Sequence, residues 1–199
     1  FRAPVFIGDT KSANGKARTQ GVYDELAGEK DAKGTDGVHP QNPALEVRTY
    51  GKDVKYHLVD RAAKEDGAPE KAQSTAGAVL ARVKGMPNLC MVGLYAYNPP
   101  AILNDAKAKS MAKDIKIIGF DEDWETLKGI AAGEIEATVV QDPFAYGYES
   151  VKALATKNYN VKKIPYRIVT KDGKADASLG GDAVEVKAFE ADLRAKLKK

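Results

Sequence analysis

Short apolar runs alternate with segments of helical periodicity along most of the chain. The apolar runs predict five strands, at Pro4–Gly8, Val54–Asp60, Leu89–Tyr95, Ile115–Phe120 and Ala137–Val140. The segments that follow them predict five helices: Ala13–Ala27, Pro69–Val83, a helix that begins at Pro99, a helix through Trp124 that stops near Gly133, and Phe144–Thr156. Strands that alternate with helices are typical of βαβ units, whose strands form a parallel sheet. The sequence therefore predicts an α/β fold in which an open parallel sheet is flanked by helices.

Two parts of the chain depart from this alternation. Between Gly28 and Pro43 the residues are mainly Gly, Asp, Lys, Asn and Pro with little to bury, which predicts a solvated loop insertion. After the fifth helix, the pattern predicts a strand at Ile164–Thr170 and a Gly- and Asp-rich stretch at Lys171–Asp182. The last predicted element is an amphipathic helix with four apolar residues on one side: Val186, Phe189, Leu193 and Leu197.

The composition is that of an ordinary globular protein. The 199 residues carry 31 Lys and Arg against 28 Asp and Glu, a net charge of +3, and 43% of them are hydrophobic. The lysines are spread along the sequence, so a nucleic-acid partner is not indicated. The longest apolar stretches are far shorter than the ~20 residues that span a bilayer, so no membrane span is predicted. No secretory signal follows Phe1, which leaves a cytoplasmic protein or a mature fragment as the two expectations.

Polar side chains follow four of the predicted strands, at the point where each strand ends. They are Asn14 and Arg18 after the first strand, Asn98 after the third, Asp121 after the fourth and Gln141 after the fifth. Because ligands of open parallel sheets bind beyond the carboxyl ends of the strands, we expect these residues at one edge of the sheet. A turn or a helix cap explains any one of them equally well. Turn chemistry does not require an Arg or a Gln, however, so the whole set favours a ligand site.

The chemistry of this set matches a sugar. Guanidinium, amide and carboxylate groups are planar and make paired hydrogen bonds in fixed directions, and adjacent sugar hydroxyls present paired donors and acceptors. Two aromatic residues, Tyr95 and Tyr97, flank Asn98 and are expected to pack on the apolar face of a sugar ring.

Other chemistries find less support in the sequence. Gly8–Lys16 follows a strand, but its glycines are spaced too widely for a phosphate loop, and no GxGxxG motif indicates a nicotinamide or flavin. Asp121–Asp123 is better explained by a ligand contact and by the start of the next helix than by a metal. His39, His57 and Cys90 share no zinc-ligand spacing, and Cys90 lies in an apolar run that is typical of a buried, inert thiol. We therefore expect no cofactor, no metal and no catalytic nucleophile.

The segment Ile115–Gln141 has a distinctive order: a strand, Gly-Phe-Asp, a helix, Gly, a strand and Gln. With its continuation to Leu154, it resembles the carboxyl-terminal lobe of type I periplasmic sugar-binding proteins of ABC transporters, the ribose-binding-like group. Val92–Leu103 and Asn14–Gly28 are similar to the Asn-bearing and Arg-bearing segments of that group. The resemblance implies a periplasmic receptor that binds a small-molecule sugar, delivers it to an ABC permease and catalyses no reaction.

The resemblance also implies a role for each candidate residue. Arg18 would clamp the ring or anomeric oxygens, and Asn98 and Asp121 would bind hydroxyls. Gln141 would bind hydroxyls beside the hinge, and Asn14 would lie near the same ligand.

Two features depart from the family pattern. The polar loop Gly28–Pro43 is longer than the family usually carries. No aromatic residue lies in Arg61–Ala68, where ribose-binding relatives often place a ring that stacks on the sugar. Tyr95 or Tyr97 is therefore expected to supply that face, and the identity of the sugar stays open.

Family members have two similar lobes with the ligand between them, and this chain resembles the second lobe from its first strand onward. We expect residues 1–141 to form the carboxyl-terminal ligand-binding lobe. Residues 142–199 are expected to return to a missing first lobe or a second chain, which would cover the apolar side of the fifth helix with Tyr148, Val151 and Leu154. Two alternatives stay open: the effector-binding core of a LacI-like transcription regulator, and an enzyme on a flavodoxin-like or Rossmann sheet.

Overall fold

The computed structural model describes residues 3–39, 42–50, 56–59, 63–64, 69–160 and 163–197. Its strands are β1 (Val5–Ile7), β2 (Thr35–His39), β3 (Asn42–Tyr50), β4 (Tyr56–Val59), β5 (Ala63–Lys64), β6 (Leu89–Gly93), β7 (Ile115–Phe120), β8 (Ala137–Val140), β9 (Arg167–Thr170) and β10 (Asp182–Glu185). Its helices are α1 (Ala13–Ala27), α2 (Ala72–Val83), α3 (Asn98–Ala108), α4 (Trp124–Ala132), α5 (Pro143–Thr156) and α6 (Val186–Leu197).

Seven of the strands form one sheet in the order β10-β9-β8-β7-β6-β1-β5. The five strands from β8 to β5 are parallel, which confirms the predicted α/β fold with an open sheet flanked by helices. The order of these strands reverses at β1, whose neighbours are β5 on one side and β6 on the other. Such a reversal opens a crevice at the carboxyl ends of the strands, because the connections on its two sides run to opposite faces of the sheet.

Three of the helices that begin at this same edge of the sheet have a side-chain cap. Ser12 Oγ accepts a hydrogen bond from the Gly15 N–H (3.0 Å) at the start of α1. Asp123 caps α4 through the amides of its first turn, and Asp142 accepts from the Ala145 N–H (3.0 Å) in α5. A capping oxygen satisfies amides that a helix start leaves unpaired.

The segment between α1 and α2 differs from its prediction. β2 pairs antiparallel with β3, and β3 with β4, in a separate three-stranded sheet. The solvated loop predicted at Gly28–Pro43 is therefore wrong for Thr35–His39, which form β2, and for Asn42 and Pro43, which begin β3. Pro40 and Gln41 lie outside the described residues. Cross-strand contacts stabilise β2, since Arg48 Nε lies 2.6 Å from Asp36 Oδ1. Local periodicity does not reveal a pairing of this kind.

The strand predicted at Val54–Asp60 also has a different place. Its described part is β4, which pairs with β3 and not with β1; Val54 and Asp60 lie outside the described residues. The position beside β1 in the parallel sheet belongs to β5. An apolar run predicts that a strand forms, but it does not specify which strand will be its partner.

The segment predicted to leave this lobe, residues 142–199, is divided by the structure. β9 pairs antiparallel with β8, and β10 pairs parallel with β9. In α6, Val186 and Phe189 are buried in the main core, Leu193 packs against it, and Leu197 is exposed. Residues 167–197 thus contact the lobe formed by the preceding residues. The division of the chain at residue 141, with residues 142–199 packed on another lobe, stays a prediction.

The helix α5 differs from the other five in its burial. The structure describes all of its residues, and none of them is buried. The main core lies instead between the sheet and the helices α2, α3, α4 and α6. Among the described residues, no helix is both long enough and apolar enough to cross a membrane.

Candidate functional site

The predicted residues gather at the carboxyl ends of the parallel strands. Arg18 lies in α1 after β1, and Asn98 is the first residue of α3 after β6. Asp121 directly follows β7, and Gln141 directly follows β8. The structure connects Arg18, Tyr95, Tyr97, Asn98 and Asp121 through direct contacts, as set out below, and we call these five residues the strand-end cluster.

Arg18 is the centre of the strand-end cluster. Its Nη1 donates to the Leu94 carbonyl oxygen (2.6 Å) and to Asp121 Oδ2 (3.2 Å). Its guanidinium carbon lies 3.9 Å from the centre of the Phe120 ring and 5.3 Å from that of the Tyr95 ring. The Arg18 side chain is only 8% exposed. Carboxylate, carbonyl and aromatic faces all favour a cation, so this environment stabilises a buried charge in one orientation.

Asp121 has a backbone conformation that is uncommon for a residue with a side chain. Its φ is +67°, in the left-handed region, which Asp tolerates better than most residues. Two hydrogen bonds to β8 hold this conformation: the Asp121 N–H donates to the Val139 oxygen (2.8 Å), and Thr138 Oγ1 donates to the Asp121 oxygen (2.8 Å). The carboxylate, 30% exposed, is thereby directed toward Arg18 at the rim of the sheet.

Asn98 closes the turn between β6 and α3. Its Oδ1 accepts from the Tyr95 N–H (3.0 Å), and its own N–H donates to the Tyr95 oxygen (2.9 Å). The other end of its side-chain amide, Nδ2, is buried and has no hydrogen-bond partner among the described residues. Gly93 is required beside it, because a Cβ there would lie 2.7 Å from the Asn98 Cβ. Asn98 therefore shapes the turn and also presents an unsatisfied donor.

The two tyrosines tie the loop after β1 to the loop after β6. The Tyr95 hydroxyl donates to the Asp9 carbonyl oxygen (3.3 Å), and it lies 3.4 Å from Ser12 Oγ. The Tyr97 hydroxyl approaches Gly8 so closely that any Cβ there would overlap with it. The two rings lie 5.8 Å apart. The face of Tyr95 is directed at Arg18, so this ring positions the guanidinium; its contact with a sugar stays a prediction.

Gln141 and Asn14 lie outside the strand-end cluster. Gln141 Oε1 accepts from the Tyr146 hydroxyl (3.5 Å) on α5, and the Gln141 backbone oxygen accepts from Arg167 Nη2 (3.4 Å) on β9. It is one strand away from Asp121, because β7 and β8 are neighbours. Asn14 lies on the first turn of α1 and is exposed.

A family model described as a periplasmic binding protein domain matches residues 4–158. The chain belongs to the periplasmic binding protein family. No curated protein matches the chain in a sequence search. The strand-end cluster of this periplasmic binding protein lies wholly within the matched residues, as does Gln141.

Solved structures share this fold at low sequence identity. A glucose-galactose binding protein from Geobacillus stearothermophilus matches with a TM-score of 0.64 and 20% identity, over 86% of this chain and 53% of that one. A carbohydrate transporter solute binding protein from Agrobacterium radiobacter, in complex with D-arabinose, has a TM-score of 0.63 and 18% identity; the match covers 92% of this chain and 55% of that one. A Caulobacter myo-inositol binding protein bound to myo-inositol has a TM-score of 0.60 and 20% identity; the match covers 86% of this chain and 52% of that one. This periplasmic binding protein chain thus spans about half the length of these structures.

Sequence reasoning missed Phe120 and Arg167, which shape the site, and it assigned Glu122 only to the start of the next helix. Phe120 supports Arg18, and its place as the last residue of an apolar run directly before Asp121 was a usable signal. Arg167 contacts Gln141 from β9, and no local pattern marked it. Glu122 is half-buried beside Asp121; burial raises the pKa of its carboxyl, and the nearby Asp121 and Asp142 carboxylates add to the rise.

Two further observations concern the thiol and the acidic side chains of the lobe. Burial raises the pKa of the Cys90 thiol to about 11, which keeps it protonated and inert near neutral pH. The described residues contain no group of three or more His, Cys, Asp or Glu side chains that could hold a metal ion.

Proposed function

We propose that this chain is the carboxyl-terminal, ligand-binding half of an extracytoplasmic sugar receptor that serves an ABC permease. The observation that carries the proposal is the Arg18 guanidinium, buried and fixed at the strand ends by Leu94, Phe120 and Asp121. Membership of the periplasmic binding protein family supports it. So do the ligands of two solved structures with this fold, D-arabinose and myo-inositol.

The unsatisfied donors give a physical reason for sugar binding. Asn98 Nδ2 and Arg18 Nε are both buried without a hydrogen-bond partner in the described part of the chain. A buried donor without a partner costs about 1–3 kcal/mol, and a ligand hydroxyl that pairs with it removes this cost. A sugar that lacks the matching hydroxyl leaves the donor unpaired, which makes the site selective.

In this proposal each candidate residue has a distinct task. Arg18, Asn98 and Asp121 bind ring oxygens and hydroxyls directly, and Gln141 binds hydroxyls from the neighbouring strand end. Tyr95 and Tyr97 form the wall of the site, and Asn14 lies at its rim. Binding proceeds without chemical change of the sugar, and the receptor closes two lobes on it about a hinge.

The exposed face of α5 supports a two-lobed receptor. Tyr148, Val151 and Leu154 are 58%, 67% and 67% exposed, although apolar residues of this size are mostly buried. We propose that another lobe of the same fold covers this face, from the same polypeptide or from a second chain. A LacI-like regulator shares the fold, but the solved structures compared above are binding proteins, which favours the receptor.

A sugar titration tests this function. NMR spectra of the 199-residue chain should shift on addition of at least one of D-arabinose, D-glucose, D-galactose and myo-inositol, with the largest shifts in the strand-end cluster. The substitution Arg18→Ala should remove about 2–5 kcal/mol of binding free energy in a two-lobed receptor, so binding to this chain alone should fall below detection.

The matched control is Arg194→Ala. Arg194 also lies over an aromatic ring, that of Trp124 (4.4 Å), and pairs with Glu190 (2.6 Å), but it belongs to α6. This variant should bind like the wild type. Equal binding by Arg18→Ala and the wild type, or no shift with any of the four sugars, would contradict the proposed function.

A further inference from the structure

Arg167 joins three parts of the lobe that are distant in sequence. It is the first residue of β9, and its register partner is Val140, the last residue of β8. Its Nη2 donates to the Gln141 carbonyl oxygen (3.4 Å) and lies 3.8 Å from Asp142 Oδ2. Its Nη1 lies 3.6 Å from Asp192 Oδ2 on α6. One guanidinium therefore links the segment that directly follows β8 to the helix α6.

The geometry of the Arg167 side chain depends on properties that only Arg has. Its guanidinium carbon lies 4.9 Å from the centre of the Phe189 ring, and the side chain is 21% exposed. Its Nε is buried without a hydrogen-bond partner among the residues described, so the two terminal nitrogens make all of the polar contacts. A planar fork reaches two carboxylates in different directions at once, whereas the ammonium of a Lys is a single point charge.

The contact between Arg167 and Asp142 also bears on α5, because Asp142 is the N-cap of that helix. Asp142 Oδ2 faces Arg167, while its Oδ1 accepts from the Ala145 N–H (3.0 Å) as the cap of α5. An Asp cap is fixed only as well as its own carboxylate is oriented. Arg167 thus holds both the backbone of Gln141 and the group from which α5 starts.

We propose that Arg167 is a positioning residue that fixes Gln141 and the first turn of α5 against α6. It acts through Gln141 and does not touch the ligand itself. The consequence for sugar binding rests on the function proposed above, whereas the fixing of the α5 start does not.

The neighbourhood of Arg167 tolerates removal of the charge. Asp192 keeps a second cation, because Lys196 Nζ lies 2.9 Å from the same Oδ2. Arg167→Met retains a long apolar stem that packs on Phe189, so this variant should fold. Arg167→Lys retains the charge without the fork. Arg194→Met is the matched control, since Arg194 is also ion-paired and stacked on a ring, but at Trp124.

The first test measures amide hydrogen exchange at Ala145 in the full chain. Exchange should be roughly tenfold faster in Arg167→Met, because a free-energy change of about 1.4 kcal/mol alters an equilibrium tenfold. Arg167→Lys should give an intermediate rate, and Arg194→Met should match the wild type. Unchanged exchange in Arg167→Met overturns the proposal, because Arg167 then does not fix the start of α5. Equal acceleration in Arg194→Met also overturns it, because the effect is then only a general loss of stability.

The second test follows the side-chain amide resonance of Gln141 during titration with D-arabinose, D-glucose, D-galactose and myo-inositol. For a sugar that the wild type binds, Arg167→Met should bind roughly tenfold more weakly, with partial rescue in Arg167→Lys. If the wild type binds none of them, the proposed function is refuted. The hydrogen exchange of Ala145 then still tests whether Arg167 fixes the start of α5. If the wild type and Arg167→Met bind equally well, the role in binding is refuted.

Discussion

Arg18 shows how one residue can be both buried and charged in this lobe. Its side chain contacts a carboxylate, a carbonyl oxygen and two aromatic faces, and these contacts offset the cost of desolvating the guanidinium. Asp121 contributes only because β8 holds its backbone at a φ of +67°. The side chains of the proposed site are thus held in place within this chain, so little ordering of Arg18 or Asp121 would be needed for a ligand to bind.

Glu122 provides a prediction at the scale of one residue. Its pKa is raised in the folded state, chiefly by burial, so the folded protein holds this proton to higher pH than the unfolded chain does. The protonated form therefore stabilises the fold at low pH, and that stability is lost as the pH rises through the folded-state pKa, above the ordinary value of 4.5.

The substitution Glu122→Gln removes this titration. The variant should gain free energy of unfolding over the wild type at about pH 7, and this gain should shrink toward about pH 4. Urea unfolding of both proteins at the two pH values measures the difference. A gain of the same size at both pH values would show that the Glu122 carboxyl does not titrate in this way.

At the scale of elements, the sequence predicts those that alternate in a regular pattern. The bounds predicted for β7 and β8 are the observed ones, because each is a compact apolar run between turn residues. The antiparallel strands β2 and β3 were missed, because their stability comes from cross-strand pairs such as Arg48 with Asp36. β4 was predicted as a strand, but its pairing with β3 was not. The sequence predicts where a strand can form more readily than it predicts which strand lies beside it.

The helix α5 provides a prediction at the scale of one element. Val151 and Leu154 are exposed, so the double substitution Val151→Lys and Leu154→Lys should leave the free energy of unfolding of this chain nearly unchanged. As a core control, Ile130→Ala replaces a side chain that is fully buried in α4 and should cost about 2–5 kcal/mol. Urea unfolding measures both variants.

A large loss of stability in the α5 double variant would show that this chain already buries the face. Because the face is proposed to contact another lobe, the same two substitutions should weaken binding of that lobe. A pull-down with the other half of the receptor separates the two effects, since only the association should respond.

The candidate site could be predicted in part for a physical reason. Arg18, Asn98 and Asp121 follow strands whose carboxyl ends must meet at one edge, so their proximity follows from a parallel sheet. The role of Tyr95 as a support for Arg18 depends on side-chain orientation, which periodicity does not encode. Arg167 could not be found at all, since its position beside Gln141 depends on the antiparallel return of β9.

At the scale of the whole molecule, the receptor proposed above has this chain as one wall of its cleft. Ligand pockets usually bury 70–90% of the ligand surface, and a single wall leaves much of that surface in water. We therefore predict that this chain alone binds its sugar weakly, with a Kd on the order of 1 mM. NMR titration measures affinities of this size, and micromolar binding to the isolated chain would contradict the two-lobed arrangement.

The register of β8 and β9 has a topological consequence. Val140 and Arg167 are paired neighbours, so the polypeptide departs from the sheet and re-enters it at adjacent points. The described residues between these points, 141–160 and 163–166, thus belong to a connection whose two ends are already paired in the sheet. Replacing this connection with a tight reverse turn should leave the pairing of β8 with β9 intact. This stretch of chain is therefore a natural place to graft a foreign segment.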